Sequence, residues 1–208
     1  IISVIAGALI SIVSIIGYYM SDKGISETLE REIAAIIDAR GNELDGWLGR
    51  KAASAEYAAN MFTALNGDTA RMKTREMLAI ATSDKDILEV TVGLNDGFFC
   101  SYNAGDYTGQ LDPTSRPWYK NARDLNKVLF TDAYIDVYTN KLIVSAAAPI
   151  KANGQFIGSM CNDISLDVLD EQVKKIDYRG QGYGIIIERT GKVLATTLPD
   201  PKEDVKDM

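Results

Sequence analysis

The chain has 208 residues, 46% hydrophobic and 25% charged, a balance found in folded proteins long enough to bury a substantial core. Its formal net charge of −7 argues against nucleic acid as a partner, because that calls for a basic face to neutralise phosphate. It contains no histidine, so Ser-His-Asp or Cys-His catalysis and ordinary zinc sites cannot be built. No Asp-rich loop with calcium or magnesium spacing appears, and no cofactor is expected.

Ile1 to Met20 (IISVIAGALISIVSIIGYYM) carries no charge and is long enough to cover a hydrocarbon core of about 30 Å. Tyr18 and Tyr19 close the run as interfacial aromatics do, and Asp22 and Lys23 follow. A cleaved signal peptide has an apolar region of only about 7 to 15 residues and a small-residue cleavage site. Neither is seen, so a transmembrane helix is expected over 1–20. The start at Ile rather than Met carries the expectation of a fragment with an upstream cytoplasmic flank, so orientation is not read from positive residues.

From Ser21 to about Leu65 apolar residues recur at Leu29, Ile33, Ile36, Ile37, Leu44, Trp47, Leu48, Tyr57, Met61, Phe62 and Leu65, mostly at helical spacing. The expected element is a stalk helix that continues the membrane helix and becomes the spine of the next domain. Asn66-Gly67-Asp68 should end it, and Thr69 to Thr82 should form a second, shorter helix.

The period then becomes strand-like. Ile87–Gly93 and Phe98–Tyr102 are expected to pair across the turn Leu94-Asn95-Asp96-Gly97. A loop rich in Gly, Asp and Pro runs from Asn103 to Pro113, followed by a short helix around Pro117–Asp124. Strands are expected at Leu129–Val137, Lys141–Pro149 and Phe156–Ile164, a helix from Ser165 to about Ile176, and a last hairpin from Gly182–Glu188 and Lys192–Thr197. Cys100 and Cys161 lie in strand-like sequence; they read as small buried hydrophobes, with a disulfide as the alternative.

Recognition-type residues concentrate in Asp112–Tyr119 (DPTSRPWY), in Thr131–Asp136 (TDAYID) and at Asp163, which ends GSMCND. Arg116 offers a planar fork that matches a carboxylate, while Asp136 and Asp163 are acceptors for an ammonium group. Trp118, Tyr119 and Tyr134 supply aromatic walls with polar tips. One cation and two anions among aromatic rings suit the two ends of a zwitterionic α-amino acid. The structural alternatives are specific. Arg116 could instead pair with Asp112 or Asp132, and Trp118 could be a core aromatic. Tyr134 and Asp136 share one face of a period-two strand, so both line a pocket or neither does. Asp163 follows an apolar run, where a carboxylate is costly unless paired.

These segments in this order resemble the double Cache family, PAS-like extracytoplasmic sensors of bacterial chemoreceptors, sensor kinases and cyclic-dinucleotide enzymes. The resemblance covers roughly Ser21 to the C-terminus. It implies an α+β fold: N-terminal transmembrane helix (1–20), long stalk helix and second helix (21–82), a PAS-like antiparallel sheet forming the membrane-distal, ligand-binding Cache module (83–176), and the start of a second, truncated PAS-like module near the membrane (177–208). It further implies a non-enzymatic receptor in the cell membrane. The expected ligand is an amino acid or similar small charged metabolite, and a homodimer through the long helix is expected. One position departs from the family's amino-acid pattern. Leu111 stands where a Tyr five residues before the Arg is usual, and nearby Tyr107 is the candidate substitute. The alternatives are a histidine kinase or diguanylate cyclase output, or a ligand that is an amine, purine or organic acid. A tethered hydrolase is disfavoured by the missing His and the missing Gly-x-Ser-x-Gly elbow.

Overall fold

One helix, α1, spans Ile2–Ala64 in this computed structural model, which describes residues 2–66, 68, 78–79, 82–175, 183–187 and 190–198, with side chains from residue 27 onward. No proline interrupts α1, and Asn66, at φ 50°, takes the left-handed conformation just past its end. Among the described residues no helix is long and apolar enough to cross a membrane. The side chains of Ile1–Met20, on which the membrane expectation rests, lie outside the described residues. So does most of the expected second helix, of which Leu78 and Ala79 are helical.

The main sheet is antiparallel. Its strands are β1 (Glu89–Leu94), β2 (Phe99–Ser101), β3 (Gly105–Asp106), β4 (Leu129–Phe130), β5 (Tyr134–Ile135), β6 (Leu142–Ala152) and β7 (Gln155–Ser165). Their order is β3-β2-β1-β7-β6-β4, with β5 also paired to β6. The central β6–β7 hairpin turns at Asn153-Gly154, where both residues have positive φ (50° and 78°), the conformation a two-residue hairpin requires. α2 (Pro117–Leu125) follows a 3-10 turn at Pro113–Ser115. α3 (Leu166–Val173) leaves β7, with the Ser165 hydroxyl accepting from Asp167 N. A separate hairpin pairs β8 (Ile185–Ile187) with β9 (Val193–Thr196).

Alternation along the strands divides the buried residues between two layers. Val90, Val92, Leu94, Ala146, Ala148 and Met160 meet Ala55, Ala58, Ala59 and Phe62 of α1. The other face places Phe99, Ala147 and Cys161 with Trp118, Tyr119 and Ala122 of α2. The small alanines let α1 lie close to the sheet. Below them Lys51, 1% exposed, pairs with Asp84 and, at 3.1 Å, with Asp86, tying α1 to the segment before β1. Cys100 and Cys161 fall in opposite layers and no disulfide joins them.

The expected strand Leu129–Val137 is corrected to two short pieces flanking Thr131–Ala133. Thr131 explains the break: its N–H donates to Ser145 O and its hydroxyl accepts from Ser145 N, both at 3.0 Å, so a side chain replaces one ladder bond. Asp136 then stands at the head of a turn, its Oδ2 accepting from Thr139 N at 2.8 Å and Thr139 Oγ1 at 2.7 Å. Tyr134, in β5, and Asp136, in the turn, therefore do not share a continuous strand.

Candidate ligand-binding site

The site lies on the α2 face of the sheet, and local chemistry delivers its first member. Asp112 caps the 3-10 turn, accepting from Thr114 N at 2.9 Å and from Thr114 Oγ1 at 2.7 Å. These bonds, the hydroxyl's first, hold the Asp112 carboxyl below its ordinary range. Arg116 follows as the N-cap residue of α2, extended at φ −77°, ψ 147°, with Pro117 opening the helix. Gly93 permits this approach: a Cβ there would stand 2.4 Å from Pro113 Cβ and 2.9 Å from the Trp118 ring.

Arg116 makes no ion pair with Asp112 or Asp132. Its guanidinium carbon lies 5.8 Å from the centroid of the Tyr134 ring. The Tyr134 hydroxyl is 2.7 Å from Ser145 Oγ, which donates to Asp163 Oδ1 at 2.5 Å. The Cys161 thiol also faces Asp163 Oδ1, at 3.5 Å. Asp163 is 3% exposed, and burial pushes its carboxyl up to about 7 although the Ser145 hydroxyl pulls the other way; nearby Asp136 and Glu89 add to the rise. Burial likewise raises the Tyr134 phenol, with Asp163 next in effect.

Arg116 thus faces the Tyr134 ring, Tyr134 meets Asp163 through Ser145, and Asp136 lies close enough to raise Asp163. Trp118, 2% exposed, packs in the same layer against Phe99, at 6.0 Å between ring centroids. Tyr119 packs edge-on against Trp118 at 5.9 Å and Phe156 at 5.4 Å, and the charges near its phenol are Arg123, Asp112 and Asp96. Ser145 is the member that sequence reasoning missed, and Tyr138 lies beside the site. Tyr138 stacks on Tyr107 with centroids 4.7 Å apart, and both rings border Phe99. Glu89, also buried, is occupied by the hairpin corner, accepting from Val90 N and Asn103 N at 2.9 Å. A cavity of about 290 Å³ lies between α1 and residues 126–128 and includes none of the expected site residues.

The model of the Cache domain family matches residues 16–207. The methyl-accepting chemotaxis protein PctB of Pseudomonas aeruginosa is 24% identical over 184 residues, 88% of this chain and 28% of that protein. The chain therefore spans little more than a quarter of this relative. The solved ligand-binding domain of PctB in complex with L-Arg superposes with a TM-score of 0.71 at 24% identity, covering 86% of this chain and 68% of that one. The ligand-binding domain of the Pseudomonas fluorescens chemoreceptor CtaA in complex with L-valine gives 0.68 at 25% identity, covering 81% and 75%.

Proposed function

This chain belongs to the Cache domain family, and from that premise we propose that it is the extracytoplasmic sensor of a membrane chemoreceptor that binds an amino acid. The carrying observation is the pairing of opposite chemistries on one face of the sheet, linked through Tyr134 and Ser145. Arg116 has no carboxylate of its own among the described residues, and Asp163, deep in the sheet, has no cation. A zwitterion supplies both, its carboxylate to the Arg116 fork and its ammonium to Asp163 and Asp136. Trp118 and Tyr134 close the walls. Relatives bearing L-Arg and L-valine support an amino-acid ligand.

In this reading residues 1–20 cross the membrane, 83–176 form the distal ligand-binding module and 177–208 begin the proximal one. The long helix is the dimer seam and the conduit for the signal. Leu29, Ile33 and Ile37, spaced by four and exposed at 38%, 40% and 60%, supply an apolar stripe for a second copy. Ligand closure on the sheet would shift α1 against its partner by an ångström or two, the roughly 1–2 Å helix shift seen at switching interfaces. Such a shift requires different ligand affinities in the two states.

Calorimetry and thermal-shift screening of the full-length protein against amino acids, amines, purines and organic acids tests the ligand class. Binding of amino acids, lost in Arg116→Ala and in Asp163→Ala with the fold intact, is the expected result. Stabilisation by an uncharged or purely cationic compound alone would refute the Arg116 role.

A further inference from the structure

Two hydroxyls on the site side of the sheet are buried with no hydrogen-bond partner among the described residues: Thr91 Oγ1 and Tyr138 OH. Thr91 is 2% exposed, and its register partners on either side are Cys161 and Ser101, so its side chain shares a face with Cys161 and Asp163. Tyr138 packs in the same layer. Its ring packs on Tyr107 and Phe99, and after burial the groups that raise its phenol are Tyr107, Asp136 and Cys161, with Arg116 opposing. A buried hydroxyl without a partner is unfavourable, whereas a ligand that completes the bond recovers much of the loss.

The two ends of an amino acid are already provided for by Arg116 and by Asp136 with Asp163, so the orphaned hydroxyls face what remains of the ligand. We infer that Thr91 and Tyr138 form a side-chain subsite selecting amino acids with a short, neutral, hydrogen-bonding side chain, of the hydroxyl or carboxamide kind, over aliphatic isosteres. This rests on the amino-acid reading of the site. Charge narrows the class further. Glu89 and Asp136 lie close enough to raise Asp163, and the three carboxyls together repel an anionic side chain. The Glu89 oxygens are taken by backbone N–H groups, which leaves no further carboxylate for a cationic one.

The test is titration calorimetry of the full-length protein with two isosteric pairs, L-threonine against L-valine and L-asparagine against L-leucine, repeated on Tyr138→Phe and Thr91→Val. The wild-type protein is expected to favour the polar member of each pair by at least about tenfold, and each variant to narrow that ratio below about threefold while keeping its affinity for valine. An unchanged ratio in either variant overturns the subsite. Equal weakening of both pair members in Tyr138→Phe overturns it too, because the hydroxyl would then hold the part common to all amino acids. If folded wild-type protein binds no amino acid at all, the amino-acid reading fails, and the subsite fails with it.

Discussion

Ser145 and Asp163 stand opposite each other on β6 and β7, and the single Ser145 hydroxyl hydrogen goes to Asp163 Oδ1 at 2.5 Å. With Asp163 ionised, Ser145 Oγ accepts from the Tyr134 hydroxyl 2.7 Å away. One small side chain orders the deepest carboxylate of the site and its aromatic wall together. Ser145→Ala should leave the Tyr134 hydroxyl without this acceptor, raise Asp163 further and weaken amino-acid binding about tenfold, readable by calorimetry.

The same carboxylate sets a pH dependence. Asp163 titrates near 7 in the folded, unliganded domain, against an ordinary value near 4 when unfolded. Between those values the folded state holds a proton that the unfolded state has lost, so this group makes stability fall as pH rises. Asp86, Asp106 and Asp112 are held low instead and act only in acid. Melting curves from pH 5 to 8 should thus decline by a few degrees in the unliganded protein and less in Asp163→Asn. Amino-acid affinity should rise across the same window, because an ammonium ligand binds the ionised form.

Arg116 offers a cleaner separation of binding from folding. Among the described residues its guanidinium has no ion pair, and the Tyr134 ring lies 5.8 Å away. Arg116→Ala should therefore change stability by less than about 1 kcal/mol, the range of substitutions that break no network. Loss of a charge-assisted bond to a ligand carboxylate should weaken binding by roughly 2–5 kcal/mol. Parallel melting and titration of this variant check both halves.

How much of this was legible in the sequence follows from the range of the interactions involved. The Ser165 cap is local chemistry, and the helix opens where the sequence places it. The break at Thr131 depends on Ser145, fourteen positions away in the chain, and period counting cannot see it. Ser145 itself sits in the run LIVSAAAP, where a serine reads as filler. Tyr119 meets Trp118 edge-on at 5.9 Å, as their adjacency allows, but its second contact, the Phe156 ring at 5.4 Å, comes from a strand that only the folded sheet brings near. Tyr138 went unmarked in the sequence because its surroundings depend on Tyr107 and Phe99, which only the folded sheet brings near.

Lys51 should be the most sensitive position on α1. Its ammonium is buried, bonded to Asp84 and Asp86, and 4.9 Å from the Trp47 ring centroid, while Trp47 Nε1 also donates to Asp86 at 2.9 Å. Burial acts to raise Asp86, yet the bonds from Trp47 and Lys51 bring its carboxyl below the ordinary range. Lys51→Ala strands these carboxylates and should cost about 3–5 kcal/mol. Replacing Lys51 and both aspartates by apolar residues should recover a large part of that, which chemical denaturation would reveal.

Gly93 tests whether α2 is placed by packing against β1. A methyl group there meets Pro113 and Trp118 at distances real Cβ atoms do not show, and Pro113 belongs to the turn that delivers Arg116. Gly93→Ala must push this turn outward or bend the strand, at about 1–3 kcal/mol of stability. Gly97→Ala is the control. That glycine has φ 94° and open space around it, so its substitution strains the hairpin without touching α2. Both variants should lower the melting temperature. Only Gly93→Ala should also weaken ligand binding when measured well below the melting range, because only there is Arg116 displaced from Asp163 and Tyr134. Equal loss of affinity in both variants would mean that Arg116 is held by something other than the Gly93 contact.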